Sequence, residues 1–91
     1  MSNMPLDNWR KEIDAVDAEI ISLLSKRMDI VVKIGKYKKE NNIPLMDSNR
    51  WQSLTQRLLK KAEKLNLSKD LVKDIYAQIL KHAMSLEEKQ D

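Results

Sequence analysis

The sequence has no cysteine, no phenylalanine, one glycine (Gly35) and one histidine (His82). Without thiols there is no disulfide framework, no thiolate nucleophile and no thiolate metal ligand. A zinc site built on a single histidine needs an unusual carboxylate set, so no metal is expected. Proline occurs only as Pro5 and Pro44. Strands need turns, and turns need Gly, Pro, Asn or Asp at close intervals. Gly and Pro are too scarce here to supply such turns, and an all-α fold is expected. No apolar stretch approaches the roughly 20 residues of a membrane span. The opening Met-Ser-Asn-Met-Pro lacks a basic region followed by an apolar run, so no signal peptide is expected and the chain reads as cytoplasmic.

What is present suits one helical domain over residues 1–91. Apolar residues make up 42% and charged residues 34%, too apolar a mixture for disorder. A core drawn from so short a chain is marginal on its own. The net charge of +3 admits an anionic ligand without selecting nucleic acid. The basic run from Arg57 to Lys64 alternates with leucines at helical spacing and reads as a solvated helix face rather than a phosphate-binding patch. Neither a nucleic acid nor a membrane is expected as a partner.

Three helices are predicted, at about residues 7–40, 48–65 and 68–88. Pro5 and Asp7 mark the first entry, with Asp7 as N-cap. Two heptad columns then line one face: Ile13, Ile20, Arg27 and Ile34, and Asp17, Leu24, Val31 and Lys38. Val16, Leu23 and Ile30 widen that stripe. The segment Asn41-Asn42-Ile43-Pro44 breaks the helix. Asp47 or Ser48 caps the second helix, whose inner side carries Leu54, Leu58, Leu59 and Ala62. Asn66 ends it, and Ser68 caps the third, with Leu71, Val72, Ile75, Ile79, Leu80, Ala83 and Leu86 as apolar positions. The polar tail from Glu87 to Asp91 is expected to fray.

The first helix decides the architecture. About 33 residues make a rod of roughly 50 Å, whereas a compact chain of this size has a radius of gyration near 12 Å. Two helices of about 18 to 20 residues cannot cover such a rod. An intertwined homodimer, with the first helices packed together, is expected to cover the rest.

Arg27 and Lys38 stand in the stripe where isoleucine or leucine belongs. Eleven residues apart, they point within about 20° of each other. A buried cation costs several kcal/mol unless paired, and Asp17 is the only acid in the same stripe. The plain alternative is that Lys38 reaches water at the helix end and Arg27 pairs with an acid on another helix. Further cations weigh against it: Arg50 opens the second helix beside Asp47, and Arg10 lies about 100° from Arg27 around the first. Arg10 is therefore badly placed to share a site with Arg27 in one protomer, and in an antiparallel dimer it could reach the partner's site instead. Several cations with few matching acids suit a ligand with more than one carboxylate or phosphate.

In this arrangement the sequence resembles the all-α class of chorismate mutases. The resemblance rests on WRKEIDAVDAEIISLLSKRMDIVVKIGKYKKENNIPLMDSNR: an Arg followed by I-D-x-x-D, the apolar run into Arg27, the Gly35-x-x-Lys38 element, and a Pro loop ending in Asp47-x-x-Arg50. It spans roughly residues 7–88, with the elements in the family's order and spacing. It implies an intertwined dimer of three-helix protomers with two active sites, converting chorismate to prephenate without cofactor. It implies that Arg27 and Arg50, with Arg10 from the partner, bind the substrate's two carboxylates. Lys38 would reach a carboxylate and the ether oxygen, and backbone near Asp47 would hold the ring hydroxyl.

Three positions depart from the family's commonest pattern. Trp51 replaces a glutamate that contacts the ring hydroxyl; tryptophan is found here in a branch fused to the first shikimate-pathway synthase, and docking to such a synthase is a further expectation. Ala83 replaces a frequent serine. Glu87 replaces a glutamine that shares the ether oxygen with the lysine. An ionised carboxylate there opposes a developing oxyanion, whereas a protonated one donates to it, so activity is expected to rise toward acidic pH. His82 reads as a surface residue, and Gly35 as a point of close approach to a neighbouring helix or the ligand. Rival readings are an isochorismate pyruvate lyase or a 4-amino-4-deoxychorismate mutase on the same scaffold, and a non-enzymatic helical dimerisation or nucleic-acid-binding module.

Overall fold

A computed structural model describes residues 3–90 as three helices: α1 (Met4–Glu40), α2 (Ser48–Lys64) and α3 (Lys69–Glu88). α1 begins earlier than the sequence suggests, because the cap is Asn3 and not Asp7. The Asn3 side-chain oxygen accepts from the Leu6 amide at 3.4 Å and its carbonyl from the Asp7 amide at 2.8 Å. Pro5 then falls in the first turn, where its missing N–H leaves nothing unsatisfied. Asp7 sits inside that turn, favourably placed at the positive end of the helix dipole.

The first two helices end alike. Asn42 and Asn66 have φ of 54° and 55°, the left-handed conformation that asparagine tolerates better than most residues. Past each, a backbone amide turns back onto the helix: Ile43 to the Lys38 carbonyl and Leu67 to the Ala62 carbonyl, both at 2.8 Å. These bonds close a Schellman motif and satisfy otherwise orphaned carbonyls. Asp47 caps α2 by accepting from the Arg50 amide at 2.9 Å, and Ser68 caps α3 by accepting from the Leu71 amide at 3.2 Å. Replacing Ser68 with alanine is expected to lower stability by about 1 kcal/mol, read as a shift of the urea midpoint at constant slope.

The chain divides into two units, Met1–Ile30 and Val31–Asp91. In the second, α2 packs on α3, and Val31, Ala62 and Ala83 are the buried apolar residues. Leu54, Leu58, Leu59, Val72, Ile79, Leu80 and Leu86 are half-buried around them. Leu71 and Ile75, read from the pattern as inner positions, are exposed. In the first unit no described residue is buried, and Trp9, Ile13, Val16, Ile20 and Leu23 are all open to solvent. No described helix is long and apolar enough to cross a membrane.

Candidate active site

The second unit gathers the C-terminal end of α1, the loop that follows it and the last turns of α3. Lys38 lies one turn beyond Gly35 on α1. Its ammonium meets the Glu87 carboxylate at 3.0 Å and donates to the Leu45 carbonyl at 2.8 Å. The side chains of Lys38 and Glu87 are only 19% and 10% exposed. Lys38 therefore does not simply reach water at the helix end. The acid that balances it comes from α3, not from the Asp17 of its own stripe.

The Pro44 loop makes this possible. The Schellman turn after Glu40 reverses the chain and brings Leu45 back over the last turn of α1, where its carbonyl fixes the lysine rotamer. Two anchors on one flexible side chain hold the ammonium in place.

Glu87 overturns the expectation of a frayed tail. It lies within α3, is buried at 8% exposure, and faces Gly35. A Cβ on Gly35 would fall 2.9 Å from the Glu87 Cα, closer than real side chains tolerate. The glycine is thus the point where α3 approaches α1, and the neighbouring helix supplies the close contact. Asp91 lies outside the described residues.

The other predicted residues are distributed around these elements. Asp47 is engaged as the α2 cap, which aligns the first turn carrying Arg50 and Trp51. Arg50 is exposed and has no ion-pair partner among the described residues. Trp51 lines an apolar groove of about 180 Å³ between α2 and α3, with Leu58, Leu59, Val72 and Tyr76. That groove contains neither Lys38 nor Glu87, and its size is below that of most small-molecule sites. Ala83 is buried one turn before Glu87 on the same face of α3. In the first unit, Arg10 is exposed without an ion-pair partner among the described residues, whereas Arg27 is half-buried and has a partner. No described group of three His, Asp or Glu residues is placed to hold a metal.

Sequence reasoning missed the Leu45 carbonyl, because a backbone acceptor leaves no residue-type signal. It also passed over Lys39, whose ammonium donates to the Glu88 carbonyl at 2.8 Å. The available signal was a lone glycine in a helix followed three and four residues later by lysines.

With this geometry in view, the family model for type II chorismate mutase matches residues 9–88. The chain belongs to that family. It is 32% identical over 82 residues to the T-protein of Haemophilus influenzae, a match covering 90% of this chain and 22% of that protein. It is 30% identical over 90 residues to a bifunctional chorismate mutase/prephenate dehydratase of Buchnera aphidicola, covering 94% of this chain and 23% of the other. A 4-amino-4-deoxychorismate mutase of Streptomyces pristinaespiralis is 27% identical over 84 residues, covering 92% of this chain and 65% of its own length. The chain thus spans less than a quarter of the length of the first two of these relatives.

Proposed function

We propose that this chain rearranges chorismate to prephenate, in the supply of phenylalanine and tyrosine, and that it does so as a homodimer. The observation that carries the reading is the shielded Lys38 ammonium, held by Leu45 and Glu87. The substrate is a dianion. Arg27 and Arg50, together with the partner's Arg10, clamp its two carboxylates, and the clamp selects the compact conformer in which the bonding carbons meet.

The reaction is unimolecular: the ether C–O bond breaks as a C–C bond forms across the folded conformer, and no atom is gained or lost. In the transition state, negative charge grows on the enolpyruvyl oxygen. A fixed ammonium in a poorly hydrated pocket stabilises that charge more than it stabilises the ground state. No general base, nucleophile or cofactor is needed.

Glu87 acts beside Lys38. Its carboxylate anchors the ammonium but repels the oxygen, whereas a glutamine in its place would keep a contact to Lys38 and donate a hydrogen bond to the same oxygen. Among the described residues, Lys38 is the ion-pair partner facing it from α1. Glu87→Gln is expected to raise turnover at neutral pH, because it removes the repulsion and keeps a donor. No gain from the glutamine removes this role.

The deciding experiment offers chorismate, its 4-amino analogue and isochorismate separately. Prephenate from chorismate supports the proposal. Turnover confined to the amino analogue indicates the second reading, which the Streptomyces relative's name favours. Release of pyruvate and salicylate from isochorismate indicates a lyase, and no turnover of any of the three overturns an enzymatic reading.

A further inference from the structure

A helix leaves its last four carbonyls without intrahelical donors. At the end of α3 each one can be followed. The Ser85 carbonyl accepts from the Lys89 amide at 3.3 Å, and the Glu87 carbonyl from the Gln90 amide at 3.3 Å. The Leu86 carbonyl accepts from the Gln90 side-chain amide at 3.0 Å. The Glu88 carbonyl accepts from Lys39 of α1 at 2.8 Å. Three of the four are satisfied from within the same terminal turn, and only Lys39 reaches across from another helix.

The charge matters as well as the bond. The last turn of α3 contains no basic residue, and its C-cap is Lys89. Lys39 adds a second cation from α1 at the negative end of the dipole, bound directly to the Glu88 carbonyl. One turn earlier, Gly35 admits the α3 backbone so closely that a Cβ would sit 2.9 Å from the Glu87 Cα and 3.1 Å from the Gln90 Cγ. Gly35 and Lys39 are four residues apart, so both lie on the α1 face that meets α3. Lys38, between them in sequence, holds the Glu87 carboxylate.

We propose that Lys39 is a positioning residue: by capping the last turn of α3 beside the Gly35 contact, it holds the Glu87 carboxylate in register with Lys38. The inference rests on the proposed role of Lys38 and Glu87 at the ether oxygen. Without the tether, the terminal turn opens more often and Lys38 loses one of the two anchors that fix its ammonium at the ether oxygen. Binding through the arginines is left alone, so kcat should fall and KM should not.

The test uses the full chain with Lys39→Met, Lys39→Arg and Lys38→Met, assayed on chorismate and followed by amide hydrogen exchange at residues 86–90. In Lys39→Met, kcat is expected to drop roughly tenfold, the scale of one charge-assisted hydrogen bond. KM should change less than about twofold, and exchange in the terminal turn should quicken by a similar factor of roughly ten. Lys39→Arg restores both, because it keeps the charge and the donor. Parent-like exchange in Lys39→Met overturns the tether whatever the assay gives. Faster exchange with unchanged kcat overturns the positioning role. A loss that arginine fails to restore also counts against it. If Lys38→Met keeps full activity, the underlying site reading fails first; an inactive Lys38→Met beside a parent-like Lys39→Met sinks this inference alone.

Discussion

Replacing Lys38 with methionine is expected to lower kcat on chorismate by about a thousandfold or more, leaving KM within a few-fold. Removing one preorganised donor at a developing oxyanion commonly costs 10² to 10³ in rate. Here the loss is compounded, because the carboxylate left behind at Glu87 is 10% exposed and faces the oxygen unscreened. The same truncation carries a stability cost. Breaking a buried pair on one side costs about 3–5 kcal/mol, and the residual exposure of this pair brings the expectation nearer 2 kcal/mol. A double variant separates the two effects. Lys38→Met with Glu87→Gln removes the uncompensated charge, so the urea midpoint should recover much of its loss while turnover stays low. Activity within about tenfold of the parent in Lys38→Met shows that the ammonium is not the group that stabilises the transition state.

The elements most legible in the sequence are those governed by single residues. The two asparagine stops, the Asp47 and Ser68 caps and the three helices all follow from local chemistry that tertiary packing did not override. Asn3 and Asp7, four residues apart, are both good caps for α1, and only the position of Pro5 in the first turn distinguishes them. The misplacement of Glu87 has a different cause. A polar C-terminal run looks solvated, and its burial depends on Gly35, which lies 52 residues earlier in the chain. Contacts of that kind leave no local trace. Likewise, the cation in the α1 stripe was conspicuous, yet the acid that balances it could not be read from the stripe, since it arrives from another helix. Leu71 and Ile75 show the converse: an apolar pattern marks surfaces that something covers, and within one chain these two are left nearly half exposed.

The same logic applies with more force to the first unit. Ile13, Val16, Ile20 and Leu23 are each about half exposed or more, and burying such a side chain is worth about 1.5–3 kcal/mol. A helical segment of this length is marginal in water without a packed face. The chain is therefore expected to sediment as a dimer. Ile20→Asp places an unpaired carboxylate in the stripe of both copies, and several kcal/mol per site should yield a monomer with reduced helicity and at least about a hundredfold less activity. A parent chain that sediments as an active monomer, or an Ile20→Asp monomer with full turnover, would overturn the dimer proposal. A sharper test asks whether Arg10 acts across the interface. Lys38→Met and Arg10→Ala chains are each expected to be nearly inactive alone. After subunit exchange, a mixed dimer has one site with Lys38 from one chain and the partner's Arg10, so about a quarter of the parent activity should return. If Arg10 serves its own chain, every site in the mixture lacks one group and nothing returns.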